Sequence, residues 1–193
     1  MSEESRRNFD KKVKMHLACA PKDSPRKTMT CIYFKDGFAY ATDGCILVKN
    51  RISEISTFSE EEIAALDGKM LPAEHYKDIL KYDECLISDE GIEATKKDDR
   101  AFFYFKDPGD GHYPDADRVM QDALNRRTVP MPEIGFNIKL MKRMAEALSN
   151  FDLCKAMFKG EGQPIVFQSI MEGVSSVGAL MPVMIEEKEE ANE

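Results

Sequence analysis

Three histidines, five cysteines and one acid-rich loop are the places where this 193-residue sequence could do chemistry. His16, His75 and His112 lie far apart and share no metal-ligand spacing with cysteine or aspartate, so packed or exposed histidines are expected rather than ligands. The cysteines (Cys19, Cys31, Cys45, Cys85 and Cys154) are odd in number and never form a CxxC pair. That pattern argues for free thiols in a reducing cytoplasm. The loop 107–117 is rich in carboxylates but lacks the closing glutamate of a calcium loop. Gly160-Glu161-Gly162 sits between two strand-like runs and reads as a turn, not a phosphate cradle. There is no Gly-x-Ser-x-Gly element and no P-loop. No enzyme is expected, and neither a metal nor a cofactor.

What remains is charge and apolar surface. The net charge is −8, but its distribution matters more than its sum. Residues 6–27 hold Arg6, Arg7, Lys11, Lys12, Lys14, Lys22, Arg26 and Lys27 against Asp10 and Asp23. The acidic surplus lies in Glu60-Glu61-Glu62 and in residues 186–193. A polyanion would be repelled by most of such a surface and attracted by one part of it. The alternative is that these lysines are ordinary solvated helix faces.

Apolar residues make up 42% of the chain and charged residues 32%, ordinary for a globular protein long enough to bury a core. No apolar run approaches the ~20 residues of a membrane span, so no membrane partner is expected. Met1-Ser2-Glu3-Glu4-Ser5-Arg6-Arg7 has no apolar segment behind it, which argues against a secretory signal and for a cytoplasmic protein.

The elements that must position these residues follow a repeated grammar. Residues 133–137 read as a short strand and 138–150 as an amphipathic helix. Ile138, Leu140, Met141, Met144, Ala145, Ala147 and Leu148 fall on one half of its wheel, and Lys139, Lys142, Arg143 and Glu146 on the other. Strands at 153–158, 164–170 and 174–185 follow, joined by glycine-containing hairpins. Upstream, 8–19 reads as a helix with Phe9, Val13, His16 and Leu17 on one side, ended by Pro21 and Pro25. Strands are expected at 29–34, 38–42 and 45–49, then a short helix at 60–66. A second set comprises strand 69–71, helix 72–81 and strands 84–88, 92–96 and 101–106. The fold class is therefore α+β, with three helix-plus-three-strand units at 8–50, 69–106 and 133–185. Residues 107–132, rich in Pro, Gly, Asp and Arg, read as a linker.

Four places in this pattern resemble the sliding clamp family, the β subunit of bacterial DNA polymerase III. They are Ala41-Thr42-Asp43-Gly44 with Leu47, Leu71-Pro72, the run Asp110-Gly111-His112-Tyr113-Pro114-Asp115 before Arg118-Val119, and Gly135-Phe136-Asn137 paired with Met181-Pro182-Val183. The resemblance implies a DNA-clamp fold, with residues 1–120 similar to the clamp's middle domain. Residues 121–193 then resemble the second half of its last domain. The first domain and the first half of the last have no counterpart. Clamp rings contain twelve half-units, so three per chain imply four chains, or a half-unit pairing across a dimer. A third unit without a partner half would expose a sheet edge and an apolar helix face, and a homo-oligomer is expected on that ground.

The resemblance further implies a processivity or tethering factor for DNA replication, bound to duplex DNA without reading its sequence. Matched positions for DNA are Lys11, Lys14, Arg26, Lys27, Lys77, Lys139, Lys142 and Arg143. It also implies a pocket for a short apolar peptide of a DNA polymerase or another clamp-binding protein, formed by Met29, Thr42, Gly44, Leu47, Pro72, Ala179 and Met181. Methionine suits such a surface because its thioether repacks around different ligands. The chain departs from the family at Cys45-Ile46, where a basic pair is common. Two other readings are a clamp-derived protein-interaction module and a mobile-element regulator, neither of which encircles DNA.

Overall fold

Strand β3 (Ile46–Arg51) is where the first and last parts of the chain meet. The computed structural model describes residues 7–107, 109, 111–130, 133–149 and 152–183. The expectations for Met1–Arg6, for Asp110, for the end of the linker at Pro132 and for the acidic run 186–193 lie outside these residues. Upstream of β3 come β1 (Cys31–Lys35) and β2 (Phe38–Thr42); downstream come α1 (Ile52–Ile55), α2 (Glu60–Ala65), β4 (Met70–Pro72) and α3 (Ala73–Ile79). The second unit supplies β5 (Glu84–Ile87), β6 (Gly91–Lys96) and β7 (Asp99–Tyr104). Helices α4 (Ala116–Asn125) and α5 (Ile138–Ala147) precede β8 (Cys154–Met157), β9 (Ile165–Ser169) and β10 (Val177–Leu180).

The strands form a seven-stranded sheet ordered β4-β1-β2-β3-β10-β9-β8 and a three-stranded sheet β5-β6-β7, all pairs antiparallel. The β3–β10 seam sets Lys49 against Val177, Leu47 against Ala179 and Ile46 against Leu180. This corrects the expectation of a third unit without a partner. One strand edge of that unit is paired within the chain, and α5 packs on β3, on β10 and on a 3-10 turn at Met15–Leu17. The two liabilities that argued for self-association are covered there intramolecularly.

Alternation along each strand decides which layer a residue joins. On one face Ile46, Val48, Ile165, Phe167 and Leu180 meet Met144 and Ala147 of α5, and Leu148 just past its end, in the main core. Contact is close at Gly178, where an added Cβ would lie 2.7 Å from the Met144 sulfur and 2.8 Å from Leu148 Cδ1. On the opposite face Tyr40, Leu47, Val166, Val177 and Ala179 meet Ala116, Met120 and Ala123 of α4.

That second layer corrects the reading of residues 107–132 as a linker, because α4 forms within that stretch. Asp115 caps it, accepting from Arg118 N–H at 3.2 Å. At its other end the nearly buried Lys159 ammonium donates to the carbonyls of Leu124 (3.1 Å) and Arg126 (2.8 Å) and to Thr128 Oγ1 (3.3 Å).

The helix expected at 8–19 is also corrected, since only the turn Met15–Leu17 forms. Its backbone donors go elsewhere: Asp10 N–H to Ile55 O (2.7 Å) and Lys14 N–H to Glu146 O (2.8 Å), while the Asp10 carboxylate takes Lys12 N–H (2.8 Å). The strand expected at 133–137 reduces to one bridge, Gly135 with Val183. On α5 the buried stripe is narrower than the wheel suggests, for Ile138 is 68% exposed and Ala145 is exposed.

A candidate peptide groove and a basic helical face

The hairpin between β2 and β3 builds one wall of a groove. Asp43 holds the turn by accepting from Cys45 N–H (2.8 Å) and Ile46 N–H (3.0 Å) through one carboxylate oxygen. Thr42 Oγ1 donates to Ile46 O at 2.6 Å and accepts Gly44 N–H at 3.1 Å. Gly44 takes a left-handed φ of 94°, and a Cβ there would stand 3.2 Å from Arg26 Nη1 and 3.5 Å from Met29 Cε. The absence of that side chain leaves the space between Arg26 and Met29 open. Across the seam, Met181 N–H donates to Cys45 O at 2.9 Å, which brings the end of β10 to the rim.

The resulting cavity is about 350 Å3 and mostly apolar in its lining. Of the seven residues assigned to a peptide pocket, Met29, Thr42, Gly44, Leu47, Ala179 and Met181 converge on it. Pro72 does not. It pairs with Cys31 in β4, three strands removed from β3, which at ~4.8 Å per strand is ~14 Å away. The prolines in the lining are Pro114 and Pro164, joined by Ala116 and Val119 of α4. The signal for these was present: Asp115 is a good N-cap, and Ala116, Met120 and Ala123 recur at helical spacing. Arg26, assigned to DNA, is at the groove instead, and Cys45 stands exposed beside it.

Helix α4 is a wall held by polar contacts. Lys49 forms an ion pair with Asp117, Tyr40 Oη donates to the same carboxylate at 3.1 Å, and Tyr113 stacks on Tyr33 at 4.8 Å. The hydrogen bond from Lys49 is the main cause that holds the Asp117 carboxyl below the usual carboxylate range. A depressed carboxyl pKa gives stability that is present above the unfolded-state value and lost as pH falls through the folded one. Acidification below the ordinary aspartate range should therefore loosen α4 and widen the groove. Hydrogen exchange of residues 116–125 against pH reads this, and Asp117→Asn should remove the acid-dependent component. An unchanged profile in that variant would show that Asp117 does not hold the helix.

The helical face is built by α3, α5 and the turn Met15–Leu17. Lys77, Lys139 and Lys142 are exposed on it, and Lys142 lies 3.8 Å from Glu146. Lys14 pairs with Glu146 at 3.2 Å and Lys11 with Asp83 at 3.0 Å. His16 lies beside them; burial, then the charges of Lys77 and Lys14, lower its pKa, so a neutral imidazole is favoured. Lys27 is exposed near the groove end, its ammonium donating to Lys22 O at 3.3 Å. Arg143 is not on the free polar side where the wheel put it. Its guanidinium donates to Leu17 O (2.8 Å) and Cys19 O (3.4 Å) and pairs with Asp43 at 2.9 Å, tying α5 to the groove hairpin.

No family model and no curated protein matches the sequence. Solved structures do match in fold. The DNA polymerase sliding clamp of Bacillus subtilis superposes with a TM-score of 0.60 at 15% identity, over 96% of this chain and 66% of that one. The beta clamp of H. pylori, in complex with diflunisal, gives 0.63 at 13% identity over 93% and 66%. A sliding clamp from Pseudomonas aeruginosa, the DNA polymerase III beta subunit bound to griselimycin, gives 0.55 at 13% over 96% and 68%. The chain therefore has an α+β fold like that of bacterial sliding clamps and spans about two thirds of their length. Among the described residues no helix is long and apolar enough to cross a membrane.

Proposed function

We propose that this chain is a clamp-like tethering factor, cytoplasmic and non-enzymatic, that rests on duplex DNA and docks partner proteins through a short apolar peptide. In this reading residues 1–120 and 121–193 correspond to two clamp portions, and copies of the chain associate around DNA during replication. A polymerase or another DNA-processing protein supplies the peptide. The reading is carried by one observation: Met29, Leu47, Ala179 and Met181, far apart in sequence, line one open groove at the β3–β10 seam.

DNA contact would fall to Lys77, Lys139 and Lys142. Lys11 and Lys14 sit within 3.2 Å of carboxylates and Arg143 holds the hairpin, whereas Lys142 keeps only a 3.8 Å contact with Glu146 and Lys77 and Lys139 show no ion pair among the described residues. Replacing Lys77, Lys139 and Lys142 together with Glu should leave the fold intact, since all three are exposed. Duplex affinity should fall, and the slope of log affinity against log salt should become shallower by about 0.9 for each phosphate that is no longer neutralised. Fluorescence anisotropy with a short duplex measures both. Preference for circular over linear DNA would support encirclement.

The engaged state of Lys11, Lys14 and Arg143, with the net charge of −8, favours a second reading. This is a clamp-derived interaction module that binds peptide but not DNA. Peptide binding with no salt-dependent duplex binding would select it.

A further inference from the structure

Strand β7 is an edge of the three-stranded sheet, and its outward backbone is open. Phe105 N–H donates inward to Glu90 O (2.9 Å), and Lys106 N–H donates outward to Met70 O (2.8 Å). Alternation then turns the main-chain groups of Tyr104, Phe102 and Arg100 away from β6. Tyr104 O meets the His75 ring at 3.1 Å. The N–H groups of all three residues, and the carbonyls of Arg100 and Phe102, have no partner among the described residues. Edges are usually blunted by charge, proline or a bulge. Here two of the three edge side chains are aromatic. Phe102 leans over Gly91, where an added Cβ would stand 2.8 Å from its Cε1, and packs edge-on against Tyr104 at 4.7 Å. Both rings are nonetheless exposed. The other sheet ends are less free: Cys85 N–H on β5 donates to Arg7 O (2.6 Å), and Phe158 O after β8 accepts Val129 N–H (2.9 Å).

We propose that β7 pairs antiparallel with β7 of a second copy of this chain, about a two-fold axis through Phe102. In that register Phe102 lies opposite Phe102, and Arg100 opposite Tyr104 of the second copy. Each pair exchanges both of its main-chain hydrogen bonds, which uses every open group of the edge. Neighbouring registers fail. A shift toward Lys106 needs the N–H that Met70 already holds, and a shift toward Asp98 runs into the turn where Lys97 takes a positive φ. The side chains agree with the axis. The Arg100 guanidinium, paired with Glu93 in its own chain, comes beside the Tyr104 ring of the other copy. Just beyond the paired stretch, exposed Asp98 comes opposite Lys106. The same operation on β8 about Lys155 would set two lysines face to face, which disfavours that edge as the partner of itself. None of the β7 residues lines the groove, so the contact leaves it open. It gives the self-association in the reading above a surface, and it does not rest on duplex binding.

Hydrogen exchange reads this edge in the native chain. The amides of Arg100, Phe102 and Tyr104 should exchange slowly at high protein concentration and quickly on dilution, in step with dimer mass by light scattering. Phe102→Lys puts two lysines on the axis and should weaken dimerisation by about tenfold or more. A cross-link tests the register separately. Phe102→Cys, with Cys45 and Cys154 replaced by Ser, should oxidise to a disulfide-linked dimer, because a residue on the axis meets its own copy at a Cα spacing that a disulfide accepts. Leu86→Cys, exposed on the same sheet in β5, should not. A chain that stays monomeric overturns the proposal, and so does a dimer whose edge amides exchange quickly or that forms no Phe102→Cys cross-link. Edge amides that stay slow at every dilution would mean that the chain covers β7 itself, and the proposal would fall. A dimer that meets these tests but binds no duplex keeps the contact and overturns the DNA reading; a monomer that binds duplex does the reverse.

Discussion

Met181→Glu is expected to abolish binding of an apolar peptide while leaving the melting temperature almost unchanged. The side chain is 39% exposed at the groove rim, and its strand is held there by the backbone bond from Met181 N–H to Cys45 O, which the substitution does not touch. A surface replacement away from the core usually stays within ~0.5 kcal/mol in stability. The groove is different. Leu47, Ala179 and Val119 give it an apolar lining, and each large side chain of a docked peptide gains ~1.5–3 kcal/mol by burial there. The introduced carboxylate would keep its water or pair with Arg26 across the groove, and either outcome excludes an apolar ligand. A loss of ~3 kcal/mol or more corresponds to more than ~100-fold in affinity. Fluorescence polarisation with a labelled pentapeptide carrying leucine and phenylalanine two residues apart would measure it. Alkylation of Cys45, exposed in the same lining, should block the peptide as well, whereas a Cys45→Ser protein alkylated at exposed Cys154 should still bind. Peptide binding that survives both changes would place the docking site elsewhere. Unfolding by Met181→Glu would instead make Met181 a core residue.

How much of this groove the sequence carries differs from one wall to the next. The hairpin was legible because turn residues fence it. Lys35-Asp36-Gly37 and Asp43-Gly44 bound β2 at Phe38–Thr42, and Asp36, Gly37 and Gly44 all take positive φ. Residues 8–19 show what periodicity does and does not report. Phe9 and Val13 are buried as their spacing suggests, yet the backbone between them is not helical. Apolar spacing tells which side chains turn inward; it does not say that the amide donors will bond within the segment, and here Ile55 and Glu146 take them. In α4 the error ran the other way. Proline, glycine and charge around it masked a capped helix whose buried residues are two alanines and one methionine, too small an apolar signal to outweigh composition. The β3–β10 seam was invisible for a simpler reason. It joins residues about 130 apart in sequence, and no local pattern specifies which strand edge another will find. The polymerase-clamp resemblance supplies the convergence that local reading does not, except that Pro72 stands outside the groove, whose lining prolines are Pro114 and Pro164.

That seam depends on one buried polar residue, and Asn50→Ala should be among the most destabilising single changes in the chain. Asn50 is fully buried at the end of β3. Its amide donates to Ala147 O at 2.9 Å, the last residue of α5, and its oxygen accepts Ser149 N–H at 3.0 Å and Ser176 Oγ at 2.8 Å. One side chain thereby ends α5 and fixes the approach to β10, the two elements that join the third unit to the first. Truncation would strand three buried polar groups in a space too apolar to replace their partners. Each unsatisfied group costs ~1–3 kcal/mol, and with local relaxation holding each toward the lower figure a total of ~3–5 kcal/mol is expected. In a domain of this size that is a fall of roughly 6–20 °C in melting temperature. Asn50→Asp does not rescue it, because the carboxylate keeps the two acceptor bonds but cannot donate to Ala147 and carries a buried charge. Ser176→Ala removes only one bond and should cost about 1 kcal/mol. Hydrogen exchange should rise first in α5 and β10, ahead of β5–β7, since the knot holds the third unit and not the second. A melting loss for Asn50→Ala no larger than that of Ser176→Ala, or exchange that rises evenly through both sheets, would show that the apolar contact of Met144 and Leu148 over Gly178 carries the seam by itself.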